Sequence, residues 1–257
     1  MVDYKKIATE VRRDMLTLLN KGQTSHAGSN LSLTDIAVVL YENLTPDDIV
    51  IWSKGWAAGL YYTLAIRHGI LDKEEVYSTF PNYPYLGLLE SHVPGIVTAG
   101  GSVGHGLSVG CGRALARKRE GRLGNVYVLM SDGELNEGAV WEAAMFAAHH
   151  ELNNLVAIID VNGWQAMGST KEVLDLEGSV NSILRNKWSS FGWSNRDIDG
   201  HDHERLEETI FSTSPLPKAI ICRTVKGKGV SFMENHILFH YKHVTDEELE
   251  KALEELK

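Results

Sequence analysis

The chain has 257 residues, 43% of them hydrophobic, and a net charge of −9 at pH 7 with a pI near 5.7. That length supports a sizeable core in one large domain or two small ones, and the lack of a basic cluster argues against nucleic acid as a partner. No apolar run approaches a membrane span, and the opening MVDYKKIATEVRRDMLTLL is amphipathic rather than signal-like, so a protein of the reducing cytoplasm is expected, with no membrane partner. Cys111 and Cys222 have no metal-ligand spacing and lie in apolar stretches, which predicts two buried free thiols.

In chain order, residues 4–20 put Ile7, Val11, Met15, Leu18 and Leu19 on one helical face. QTSHAGSN (23–30) reads as a loop, and Thr34 to Leu44 as a second helix. DDIVIWS (47–53) is a short strand candidate, 56–69 looks helical, and 81–106 is rich in Gly, Pro and Ser. A helix over Gly106 to Arg119 leads to VYVLM (126–130), whose continuous apolar run predicts a buried parallel strand. A helix from Ala139 to Leu152 precedes a second such strand, LVAIIDV (155–161). A helix near 179–191, the segment WSNRDIDG (193–200), a helix near 203–212 and the strand KAIICRTV (218–225) follow. In the closing TDEELEKALEELK, Thr245 and Glu248 fit a capping box, and Leu249, Ala252, Leu253 and Leu256 form an apolar stripe. Strands alternating with helices predict an α/β fold with a mostly parallel sheet and helices on both faces. No internal repeat or linker interrupts it, so one domain over 1–257 is expected.

The chemistry concentrates in 131–165, SDGELNEGAVWEAAMFAAHHELNNLVAIIDVNGWQ. Asp132 follows one strand and Asn162 the next, and open α/β sheets bind ligands beyond the carboxyl ends of their strands. The helix N-terminus there attracts phosphate, yet Asp132 and Glu134 repel a bare one. A divalent cation between carboxylate and phosphate removes that conflict. Asp oxygen, Asn amide oxygen and a main-chain carbonyl are hard ligands suited to Mg²⁺ or Ca²⁺. The same residues also suit a plainer arrangement, Asp132 capping the next helix and Asn162 filling a turn. Spacing leaves both open.

SDGELNEGAVWEAA and NNLVAIIDVN resemble the thiamine diphosphate motif of the transketolase family, GDGE-x-x-EG-x-x-WEA followed by DNLIAIVD-x-N. Ser131 stands in place of its first Gly. HAGSNLSLTDI (26–36), GGSVGHGLSVGCGRA (100–114), FGWSNRDIDGHD (191–202) and TVKGKGVSFMEN (224–235) resemble further family segments in the same order. The resemblance implies the diphosphate-binding half of a transketolase. Asp132, Asn162 and the Trp164 carbonyl would hold Mg²⁺ (or Ca²⁺), and Gly133 would present its N–H to the diphosphate. Gly101, Ser102 and Val103 would meet the aminopyrimidine through their backbone. His26, His92 and His240 fall on family histidines that touch substrate hydroxyls or relay protons. Glu137 matches a glutamate at the subunit interface. The implied reaction transfers a two-carbon ketol unit from a ketose or ketose phosphate to an aldose acceptor.

Three features depart from the family. Trp56 stands where SKGHA has a His that contacts the phosphate region of the cofactor, and indole can neither carry charge nor relay a proton. His105 is a residue that could compensate. Tyr241 replaces the Gly of FHG beside His240, and the segment 77–95 is shortened. Family members are more than twice this long. The resemblance therefore implies a split enzyme, with a second chain resembling the C-terminal half and two copies of each chain. Other thiamine diphosphate chemistry (acyloin formation from a 2-oxo acid, or a specialised sugar) and a non-catalytic partner stay open. A dinucleotide oxidoreductase, suggested by the Gly-rich loop alone, lacks the acidic residue its second strand should carry.

Overall fold

The computed structural model describes residues 2–175 and 183–257. Five parallel strands form the main sheet: β1 (Ile49–Trp52), β2 (Val126–Ser131), β3 (Leu155–Val161), β6 (Ser194–Asp199) and β7 (Lys218–Arg223), in the order β1-β2-β3-β7-β6. Each strand has side chains on both faces, and the alternation sorts them into two apolar clusters. Trp52, Tyr127, Leu129, Val156, Ile158 and Ile220 point to one face, where α1 (Tyr4–Lys21), α2 (Ala27–Glu42) and α3 (Ala58–Arg67) cover them. Ile51, Val128, Met130, Ala157, Ile159 and Ile221 point to the other, under α5 (Gly106–Glu120), α6 (Gly138–His149) and α8 (Ile183–Ser190). This is the expected α/β architecture, with α4 (Lys73–Thr79) and α7 (Thr170–Leu174) as short helices in the connections. The continuous apolar runs of β2, β3 and β7 follow from burial on both faces.

Differences from expectation lie where burial or length overrides composition. WSNRDIDG contributes β6, an edge strand paired only to β7; only Asn195 and Ile198 of it are buried, so it lacks an apolar run. α2 starts at Ala27, so the second half of the expected 23–30 loop is its first turn. AGSN is small and polar, but packing against α1, α3 and α9 (His203–Ile210) holds it helical. After β3 a two-stranded hairpin, β4 (Trp164–Gln165) and β5 (Gly168–Ser169), is too short to leave a sequence pattern. The helix expected near 179–191 is seen from Ile183, its first residues lying outside the described ones. α10 (Asp246–Glu255) carries the expected Thr245–Glu248 capping box and packs on α1. Both cysteines are buried and free. Among the described residues, no helix is long and apolar enough to cross a membrane.

Candidate active site at the carboxyl ends of the strands

β1, β2, β3 and β7 all end at one edge of the sheet, and the chain segments leaving them meet there. β1 runs into Ser53 and Lys54, β2 into Asp132, β3 into Asn162, and β7 into Thr224 and Lys226. Behind this edge sits a closed polar cluster. Asp160, fully buried on β3, accepts from Lys54 Nζ, from Thr224 Oγ1 and from Ser32 Oγ at 2.6 Å. Lys54 Nζ also donates to the Ser29 carbonyl at 2.9 Å. Burial raises the Asp160 carboxyl, but the Lys54 ammonium and these hydrogen bonds outweigh it and hold the group below its ordinary range.

Asp132 lies in front of that cluster and, among the described residues, makes no ion pair with a cation; the Lys54 and Lys226 charges lie nearby. It is buried and accepts only main-chain N–H groups among the described residues: Gly133 at 2.8 Å and Gly163 at 2.6 Å. Burial, reinforced by the neighbouring Asp160 charge, pushes its carboxyl up to about 7. Asn162 is equally buried; its Oδ1 accepts the Trp164 N–H at 3.0 Å and its Nδ2 faces Ser32 Oγ at 3.5 Å. The structure thus brings Asp132, Asn162 and the start of β4 at Trp164 to one place. Their chemistry suits a hard cation, which would supply the positive charge Asp132 lacks. Gly133 packs under the hairpin: a Cβ there would come within 2.8 Å of Gln165 Cβ, so only glycine fits.

On the β7 side Lys226 is fully buried, and its Nζ lies 3.1 Å from His240 Nδ1. Burial, with the Lys54 charge nearby, lowers this ammonium to about 8. His240 meets His26 edge-on at 5.0 Å between ring centroids, and His26 stacks on Trp56 at 4.9 Å and 22°. Burial and the Lys226 charge hold His26 down at about 4, and the same two causes hold His240 at about 3. Both rings are therefore neutral hydrogen-bonding groups at pH 7. His26 opens into a cleft of about 390 Å³ bordered also by Ser25, Trp56, Leu88, Tyr241 and His243, with His240 packed against the His26 ring. Tyr241 closes one side by donating from its hydroxyl to the Ala166 carbonyl at the hairpin tip, 2.6 Å away.

The remaining predicted residues are placed differently. Glu134 turns inward: it is buried and accepts from Ser53 Oγ, from the Gly104 N–H at 2.9 Å and from the Ser131 N–H at 3.3 Å. It fastens the Gly-rich loop to the ends of β1 and β2 instead of facing a ligand. Gly101, Ser102 and Val103 precede this anchor on a partly exposed stretch. Glu137 is exposed, and Gly104 (φ +86°) lies so close that a Cβ there would come within 2.7 Å of Glu137 Cβ. His105 is exposed at the N-cap of α5. His92 is exposed on the 80–100 segment, where its ring lies against Tyr83 and its Nε2 faces the Pro84 carbonyl at 2.8 Å. The structure does not bring it into the His26–Trp56–His240 group.

Against known proteins, the transketolase thiamine diphosphate binding domain matches residues 4–256. The chain belongs to the transketolase family. It is 35% identical to an apulose-4-phosphate transketolase subunit of Actinobacillus succinogenes, over 99% of this chain and 96% of that protein. It is 32% identical to the 6-deoxy-6-sulfo-D-fructose transketolase subunit SqwG of a Clostridium species, over 100% of this chain and 97% of that protein. Among solved structures, the transketolase of Campylobacter jejuni superposes with a TM-score of 0.89 at 25% identity, covering 100% of this chain and 43% of that one. Two buried lysines of this transketolase chain escaped sequence reasoning. Lys54 and Lys226 lie in SKGWA and TVKGKG, stretches noted for their neighbours, and only the fold brings both ammonium groups to the edge that holds Asp132.

Proposed function

We propose that this chain is the diphosphate-binding subunit of a two-chain transketolase that uses thiamine diphosphate and Mg²⁺ (or Ca²⁺), its 257 residues forming one domain. The observation that carries the reading is the convergence of Asp132, Asn162 and Lys226 at one sheet edge, where a diphosphate and its cation would find a set of hard ligands and an ammonium group together. Matches to relatives named as transketolase subunits, over 96% and 97% of their lengths, support the two-chain arrangement. The second subunit would resemble the other half of a transketolase, in an assembly of two copies of each. Buried free cysteines suit a cytoplasmic setting.

When bound, thiamine diphosphate supplies the electron sink that lets a C–C bond break and re-form. This chain's residues bind and orient. Asp132, Asn162 and the Trp164 carbonyl would hold the cation, and the Gly133 N–H, which donates to Asp132 Oδ1 at 2.8 Å in this chain, would turn to the diphosphate. Gly101, Ser102 and Val103 meet the aminopyrimidine, and Glu137 stands at the subunit interface. His26 and His240, kept neutral by burial, exchange hydrogen bonds and protons with sugar hydroxyls. His92 would join them only if its segment folds inward. Trp56 supplies an apolar wall instead of a phosphate contact, which would leave that task to Lys226. The transferred unit is a two-carbon ketol, from a ketose or ketose phosphate to an aldose.

The test is reconstitution with a chain matching the second half of a transketolase. The pair should bind thiamine diphosphate with Mg²⁺ and transfer ketol units, and this chain alone should not; full turnover by this chain alone refutes the reading. Trp56 and Tyr241 favour one second reading, C–C bond formation from a 2-oxo acid, because both reshape the cleft. Assaying the pair against ketose phosphates and 2-oxo acids separates them.

A further inference from the structure

Behind the cleft, on the α1–α2 side of the sheet, Asp35 gathers three side chains from two parts of the chain. It is 4% exposed. Arg12 Nη1 and Nη2 of α1 reach its two oxygens at 3.2 and 2.5 Å. His203 Nε2 faces Oδ1 at 2.9 Å, and His201 Nδ1 faces Oδ2 at 2.7 Å. The bidentate Arg12 already balances the carboxylate charge, so neutralisation does not explain His201. The far side of its ring does: His201 Nε2 accepts the main-chain N–H of Val225 at 2.9 Å. Accepting there fixes the tautomer, with the proton on Nδ1 donated to Asp35. Arg12 works on the same loop, donating from Nε to the Lys228 carbonyl at 3.1 Å.

Val225 lies between Thr224, which donates to Asp160, and Lys226, which faces His240. We propose that Asp35 and His201 are positioning residues: they fix the 224–228 turn from behind and so set where Lys226 and His240 stand beside the His26 wall of the cleft. Asp35 orients the imidazole, and the imidazole holds the main-chain N–H of Val225, between Thr224 and Lys226. The inference rests on the reading of Lys226 and His240 as ligand-facing groups.

Two substitutions separate this role from plain packing. In His201→Gln the amide oxygen can reach the Nε2 position and still accept from Val225; in His201→Asn the shorter amide can meet Asp35 but not Val225. Amide exchange on this chain alone should be about tenfold faster at Val225 in H201N, the loss of about one buried hydrogen bond. Thr224, whose N–H bonds the Val161 carbonyl, should be unchanged and serves as the control for general loosening. In the reconstituted pair, H201N should need about tenfold more thiamine diphosphate for half-saturation. H201Q should match the wild type in both measurements. The proposal is overturned if H201Q loses as much as H201N, if Thr224 accelerates with Val225, or if H201N leaves either exchange or cofactor affinity unchanged. Exchange at Val225 needs no cofactor or second chain, so its result stands even if the two-chain reading fails.

Discussion

Substituting Asp160→Asn tests whether the charge cluster behind the cleft is held together as a unit. The substitution keeps the shape and removes the charge facing Lys54. Both residues are buried, Asp160 at 0% and Lys54 at 3% exposure, so the ammonium left behind cannot reach water. It retains the Ser29 carbonyl at 2.9 Å and Ser32 Oγ at 3.3 Å, which solvate but do not neutralise it. Removing one partner of a buried pair costs about 3–5 kcal/mol. Here the lower end applies, because the same change relieves the repulsion between Asp160 and Asp132. Lys54→Met should cost a similar ~3 kcal/mol by stranding the carboxylate. The double variant should cost less than the sum by about 2 kcal/mol or more, because no uncompensated charge remains. Urea unfolding of the four proteins, followed by circular dichroism, measures the cycle. Single variants costing under about 1 kcal/mol, or a double variant equal to the sum, would refute the reasoning.

Asp132→Asn should weaken Mg²⁺-dependent binding of thiamine diphosphate to the reconstituted pair by about 100-fold or more, since the site loses its charged hard ligand; calorimetry giving an unchanged affinity would remove Asp132 from the metal site. His26 and His240 are held at about 4 and about 3, below the ordinary 6.5, so the folded chain prefers both rings neutral. Their contribution is fully present above pH 6.5 and drains as pH falls from there toward about 4 and below, because the unfolded chain takes up the protons first. The unfolding free energy should therefore decline over that window in the wild type and decline less in a His26→Asn/His240→Asn double variant. Trp56→Ala should cost about 1 kcal/mol in the same unfolding assay through the lost stack on His26, and should leave cofactor affinity within about twofold if Trp56 only walls the cleft.

The sheet was legible where burial on both faces forces an apolar run, as in β2, β3 and β7. It was not legible in β6, whose polar SNRDID needs only one neighbour, nor at the start of α2, where packing outweighs the composition of AGSN. In the site, Asp132 and Asn162 could be paired from spacing alone because consecutive parallel strands carry them. Lys54 and Asp160 are 106 residues apart and meet only through the fold. A signal did exist: an acid inside LVAIIDV, in the midst of a run buried on both faces, demands a buried cation. Glu134 shows the opposite error. It shares a turn with Asp132, yet the chain reversal points it at Ser53 and Gly104, so proximity in sequence says little about a shared site.

Charge is distributed unevenly over the site. At the strand ends stand two buried ammonium groups, one neutralised acid and one acid, Asp132, without a cation of its own. A diphosphate with a divalent ion would suit that set, the cation beside Asp132 and the anion beside Lys226. The cleft beyond has a different character. His26 is neutral, Trp56 and Tyr241 are aromatic, and among the described residues no lysine or arginine borders it. Such a wall can meet hydroxyls and the apolar faces of a sugar, but it has no fixed cation for a phosphate. If the substrate is a sugar phosphate, its phosphate must be met by groups outside this cleft, and the second chain of the proposed pair is where they would be found. Phosphorylated and unphosphorylated ketoses should then be discriminated by substitutions in that chain, and substitutions at Trp56 or His26 should affect both alike.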